Sequence, residues 1–258
     1  SLTQPDQAQT APSQPDFIRF ENVDFRYDAN GGLALQDISF NLQPGEFLGI
    51  TGPTGSGKST LTQLIPRFYD VAAGRITVNG LDVQAWDLAA LRHQIAFVPQ
   101  TAVLFHGTIR ENLQWGKADA TDEGCFQALE TAQCREFVEK LPEGLDTMVM
   151  ENGKNFSGGQ RQRLTIARAL IRKPHLLILD DSLSALDYQT DLDLRQALAR
   201  DLDSAMIIIS QRVRSIQQAK EILVLDSGRL VGKGTHEALL LSSSEYQAIV
   251  ASQEEEHD

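Results

Sequence analysis

Apolar and polar residues alternate through "FIRFENVDFRY" and again through "LALQDISFNLQPGEFLGI", with Gly-Gly and Pro-Gly turn signals among them, over residues 17–50. A period of two turns one face of each strand toward a core, so this stretch predicts an antiparallel β region. Helical spacing follows at 58–66, at 86–93 and around 121–140. In the second half, "LLILD", "AMIIIS" and "EILVLD" are apolar almost throughout, and helix-length segments separate them. Runs of that kind are strands covered on both faces, joined by βαβ crossovers in a largely parallel sheet. The predicted fold class is α/β, with a mixed, largely parallel sheet, an antiparallel β part and a helical part near 101–160. No internal repeat is visible.

Composition narrows the chemistry. The 258 residues are 41% apolar, ample for a real core, and carry a formal net charge of −12. Phosphate backbones select basic surfaces, so nucleic acid is not an expected partner. Cys125 and Cys134 lack the spacing of a zinc site or a disulfide framework and read as reduced thiols. No apolar run approaches the roughly 18 residues of a membrane span, and no signal-peptide pattern opens the chain, so it reads as soluble. Residues 1–16, rich in Gln, Pro and Asp, read as a linker to something outside this sequence, and 246–258 as an acidic, solvated tail.

The sharpest chemical signal is "GITGPTGSGKSTL". It holds G-x-x-x-x-G-K-S at Gly52–Ser59, after a strand-like "EFLGIT" and before a helix-like "STLTQLI", the context that a phosphate-binding P-loop requires. Gly52, Gly55 and Gly57 let backbone N–H groups turn inward, Lys58 reaches phosphate oxygens, and the Ser59 hydroxyl can ligate Mg²⁺. Thr54 and Thr60 belong to the same nucleotide-binding run. Asp180, at the end of "LLILD", is placed to hold Mg²⁺ beside such a loop, and Asp181 follows it as a candidate proton acceptor. Farther on, "NFSGGQRQRLTIARALIRK" opens with Ser157 and Gln160 at capping-box spacing, while Gly158 and Gly159 keep the helix end open to an anion. Arg172, Lys173 and Pro174 read as the end of that helix, and His93, His106 and His175 as surface or packing residues.

Tyr27, "GPTGSGKS", Gln100 in "FVPQ", "FSGGQ", "LLILDD", "SALD" and "IIISQR" occur in one fixed order, and the chain resembles the nucleotide-binding domain of ATP-binding-cassette transporters over about residues 17–245. "VPQTAVLFHGTIRENL" and "ENGKNFSGGQ" are similar to the exporter versions of that family, with Glu151 in the short loop that in exporters touches the membrane domain. The resemblance implies a P-loop ATPase fold and a head-to-tail dimer in which each ATP, with Mg²⁺, lies between one chain's P-loop and the other's signature. Tyr27 would stack on adenine, Gln100 would bind Mg²⁺ or the attacking water, and Ser157, Gly158, Gly159, Gln160 and Asp187 would face the partner's nucleotide. It also implies coupling helices of a transmembrane domain as partners, a place at the cytoplasmic face of the membrane, and a cargo that this domain does not bind.

Two positions depart from the family pattern. The family usually has Glu where this chain has Asp181, and His where it has Gln211. Asp is shorter by a methylene, about 1.5 Å, and a base must come within roughly 2.6–3.2 Å of its proton. Gln211 can hydrogen-bond a γ phosphate but brings no positive charge. Phe156 for the usual Leu leaves the signature otherwise intact. The pattern resembles the half of a bacterial heterodimeric exporter that holds ATP and hydrolyses it poorly. The alternatives are a homodimer with slow hydrolysis in both sites, an importer cassette, and a nucleotide-gated clamp outside transport.

Overall fold

The computed structural model describes residues 16–254, so the expected linker over 1–15 and the last residues of the expected tail, 255–258, lie outside the described residues. In chain order the strands are β1 (Ile18–Phe25), β2 (Leu35–Leu42), β3 (Phe47–Thr51), β4 (Ala73–Val78), β5 (Leu81–Asp82), β6 (Ile95–Val98), β7 (Gly107–Thr108), β8 (Met148–Val149), β9 (Leu176–Asp180), β10 (Ala205–Ile209), β11 (Glu221–Asp226) and β12 (Arg229–Gly234). The helices are α1 (Lys58–Gln63), α2 (Leu88–His93), α3 (Ile109–Gln114), α4 (Asp122–Thr131), α5 (Arg135–Glu139), α6 (Gly158–Leu170), α7 (Tyr188–Asp201), α8 (Val213–Ile216), α9 (His236–Ser242) and α10 (Ser244–Glu254). They form two compact units, one made of the chain up to Ile95 and again from Ala205, the other of Ala96–Ser204.

The first unit holds two kinds of sheet. β2-β1-β4-β5 is antiparallel, with Phe20 opposite Phe40 on one side and Ile76 on the other. The alternation of β2, buried at Leu35, Ile38, Phe40 and Leu42, is that of a sheet with one covered face. β12-β11-β3-β10 is mixed: β3 runs parallel to both β10 and β11, and β12 closes the edge antiparallel to β11. β3 and β10 are buried almost end to end, as the continuous apolar pattern requires.

In the second unit β9 lies beside β6, and Leu176, Leu177, Ile178 and Leu179 are completely buried. Each such side chain contributes about 1.5–3 kcal/mol. β7 and β8 form a short ladder, and the rest is helical, so the helical part expected at 101–160 lies inside this unit.

Two expectations need correction. The helix expected around 121–140 is two, α4 and α5, because Gln133 adopts φ 59° and the Cys134 N–H turns back to the Leu129 carbonyl at 2.8 Å, closing α4 in the manner of a left-handed helix cap. The tail expected from 246 is instead helical through Glu254 in α10, whose Tyr246 is fully buried. Cys125 and Cys134 are free and buried, and burial pushes the Cys134 thiol up to about 12. Among the described residues no helix is long and apolar enough to cross a membrane.

Candidate functional site

The loop between β3 and α1 is built around positions that refuse a side chain. A Cβ on Gly52, at φ 147°, would lie 2.1 Å from the Leu225 carbonyl oxygen, and one on Gly57, at φ 102°, would lie 2.7 Å from Leu35. Gly55 also has a positive φ, and nothing lies within 4 Å of where its Cβ would be, so open space borders the middle of the loop. Lys58 Nζ donates to the carbonyls of Gly52 at 2.7 Å and Pro53 at 2.9 Å, which curls the ammonium back over the loop. Gly57 caps α1 without a side-chain hydrogen bond, and the buried hydroxyls of Thr51 and Ser56 have no partner. A helix end without a side-chain cap, a cation and orphaned hydroxyls make a cradle that fits a phosphate group.

Residues around this loop in the same unit are ordered by it. Tyr27 is 54% exposed; its ring meets Phe25 and Tyr69 edge-on, and its hydroxyl pairs with Thr60 Oγ1 at 2.6 Å. These contacts and the hydroxyl bond fix the ring while more than half of the residue stays exposed. Gln211, just after β10, donates through Nε2 to Thr54 Oγ1 at 3.2 Å, so the side chain expected to reach a γ phosphate touches the glycine-rich loop directly. Ser59 is exposed on the first turn of α1.

The second unit carries the remaining predicted residues. Asp180 ends β9, and Asp181 follows at φ 50°, a conformation that costs a non-glycine residue energy and fixes where its side chain leaves the backbone. Gln100 Nε2 donates to Asp181 Oδ2 at 3.0 Å. Behind them the Ser182 hydroxyl is buried and donates to the Val98 carbonyl at 3.2 Å, tying the end of β9 to the end of β6.

The signature helix α6 starts as predicted. Ser157 Oγ accepts from the Gln160 N–H at 3.1 Å, and Gln160 Oε1 accepts from the Ser157 N–H at 3.0 Å. Phe156 is buried against Phe137, which seats the residue before the cap without altering it. A Cβ on Gly158 or Gly159 would meet its nearest neighbours at 3.9 and 3.4 Å, ordinary contact distances, so packing within this chain does not demand glycine there. Asp187 caps α7, accepting from Thr190 N–H at 3.0 Å and Thr190 Oγ1 at 2.8 Å, and these bonds hold its carboxyl below the usual range. Glu151 is exposed in a short turn where Asn152 adopts φ 57°.

No group of three or more His, Cys, Asp or Glu side chains among the described residues could hold a metal by itself. Mg²⁺ is ordinarily held by one or two protein oxygens together with phosphates, and each unit carries oxygen donors of that kind, the Ser59 hydroxyl in the first and the side chains of Gln100 and Asp180 in the second. Sequence reasoning missed the Tyr27–Thr60 and Gln100–Asp181 pairings, for which no local pattern exists.

A family model described as "ABC transporter" matches residues 35–184, more than half of the chain. The chain is 47% identical over 236 residues to an uncharacterized ABC transporter ATP-binding protein, YfiB, of Bacillus subtilis, covering 92% of this chain and 41% of that protein. It is 43% identical over 243 residues to an ATP-dependent lipid A-core flippase of Xanthomonas campestris, covering 93% and 41%. Among solved structures, a bacterial Atm1-family ABC exporter with ATP bound matches with a TM-score of 0.92 at 36% identity, over 98% of this chain and 44% of that one. The chain thus spans about two-fifths of the length of these curated relatives.

Proposed function

Because the chain belongs to the ABC transporter family and has the α/β fold of its ATPases, which bind ATP with Mg²⁺, we propose that it is the ATP-driven motor domain of an exporter, working against a homologous partner domain. Identity to full-length exporters and the exporter-like "ENGKNFSGGQ" segment support that placing, with a transmembrane domain as the second partner and the cytoplasmic face as the location. Cargo would be chosen outside this chain.

In this reading the loop amides and Lys58 hold the β and γ phosphates, Ser59 and Asp180 take Mg²⁺, and Tyr27 stacks on adenine, steadied by Thr60. Bound Mg²⁺ would neutralise charge building on the phosphates. Gln211 contacts the γ phosphate as a neutral donor. Ser157 and the glycines after it are offered, with Asp187, to the partner's nucleotide; the tolerance of Gly158 and Gly159 for a Cβ within this chain supports a ligand as the reason for their small size.

The observation that carries the finer proposal is the short carboxylate of Asp181, which already accepts from Gln100 at 3.0 Å. Water activation requires that oxygen to reach farther, and a shortfall of about 1 Å lowers a rate on the order of 100-fold. The chain therefore grips ATP and cleaves it slowly, and fast turnover belongs to a partner with Glu and His at the two positions. An Asp181→Glu, Gln211→His double variant should raise turnover of the purified chain on the order of 100-fold. An unchanged rate in a folded variant sinks the proposal, and brisk cleavage by the parent chain alone favours the homodimer.

A further inference from the structure

The sequence pattern gave α10 no role, yet it is fastened at both ends of one face. Near its start Tyr246 is fully buried, and its hydroxyl pairs with His236 Nδ1 at 2.8 Å. Seven residues later, two turns along the same side of the helix, Gln253 reaches the segment that follows β10. Its Oε1 accepts from the Val213 N–H at 2.9 Å, and its Nε2 donates to the Gln211 carbonyl. One planar amide thus bridges the C=O of a residue and the N–H two positions on, the pair that an adjacent β-strand would satisfy. Arg212 between them is extended, at φ −81° and ψ 111°, and its N–H is taken by Ser210 Oγ at 3.0 Å. Gln211 in turn meets Thr54 of the phosphate loop through its own amide.

We propose that Gln253 is a positioning residue: by clamping the backbone on both sides of Arg212 it fixes Gln211 where its side chain can read a γ phosphate, so that the C-terminal helix sets how well this chain tells ATP from ADP. The inference rests on the γ-phosphate contact proposed above for Gln211. Gln253 itself touches no nucleotide. A mere packing role would lower the melting temperature and weaken both nucleotides equally. A positioning role weakens ATP selectively, because only ATP carries the phosphate that Gln211 reads.

The test measures Mg-ATP and Mg-ADP affinity, side by side, for the parent chain, Gln253→Ala, Gln253→Glu, Gln211→Ala and Gln211→Ala/Gln253→Ala, with Tyr246→Phe as a variant that loosens the other end of α10 only. Gln253→Glu keeps the acceptor for Val213 and loses the donor to Gln211, so it separates the clamp from the helix. Both Gln253 variants are expected to lower the ATP-over-ADP preference by about three- to tenfold, the double variant to add nothing to Gln211→Ala, and Tyr246→Phe to leave the preference alone. Gln253 variants that keep the parent preference while Gln211→Ala loses it overturn the inference and spare the γ-phosphate reading. If Gln211→Ala keeps the preference, that reading falls and the clamp is judged by hydrogen exchange of the Val213 amide. Faster exchange in Gln253→Ala than in Gln253→Glu sustains the clamp, and equal exchange in all variants overturns it.

Discussion

Helices α1 and α6 begin in opposite ways. The first starts at Gly57, with no side chain over its end and the Lys58 ammonium curled beside it. The second starts under Ser157, whose hydroxyl and backbone are both paired with Gln160. A bare end has amides and positive potential left for an anion, whereas a closed capping box has already satisfied two of its donors. Under the proposed function, the difference suits two duties for similar-looking glycine-rich segments: α1 would keep a ligand with its own chain, and α6 would stand complete until one is brought to it.

The contrast can be broken most forcefully at Lys58. Lys58→Ala should weaken Mg-ATP binding on the order of 100-fold in a titration while the fold survives, because the charge-assisted contact to phosphate proposed for it is lost. Gly57→Ala should cost about 1–3 kcal/mol in denaturant unfolding, since the new Cβ meets Leu35 at 2.7 Å in a backbone region hostile to side chains. Ser157→Ala removes one cap, worth about 1 kcal/mol, and should leave ATP affinity of the isolated chain unchanged. Weaker ATP binding by that variant, measured without a partner, would erase the distinction between the two helix ends.

A third helix start supplies the smallest effect. The Thr190 bonds depress the Asp187 carboxyl, so its contribution to stability is complete above the ordinary carboxylate range, near 4, and is lost as pH falls through its lower folded value. The melting temperature gap between the parent and Asp187→Asn should accordingly shrink as pH is lowered from about 6 to about 3. A gap independent of pH would show that the charge of this cap is idle.

Legibility followed locality. "LLILD", "AMIIIS" and "EILVLD" were readable because strands buried on both faces are apolar at every position, and the Ser157–Gln160 box because its partners sit three residues apart. The break inside 121–140 was hidden because Gln133 takes a left-handed conformation with no glycine or proline to announce it. The helicity of α10 was masked by the acidic run at the chain's end, although Tyr246 and Gln253 share one face. Pairings across long separations, Gln100 with Asp181 at 81 positions or Gln253 with Val213 at 40, leave no trace in a local pattern.

The parallel ladder of β3 has a consequence for biosynthesis. Met206–Ile209 pair along Phe47–Ile50 on one side and Glu221–Val224 along Leu48–Thr51 on the other, and both are translated long after it. A ribosome making this polypeptide must therefore emit an apolar ribbon whose two neighbours do not yet exist, and keep it from sticking elsewhere until they arrive. The phosphate loop, which hangs from the end of that ribbon, cannot take its final form before β11 has been made.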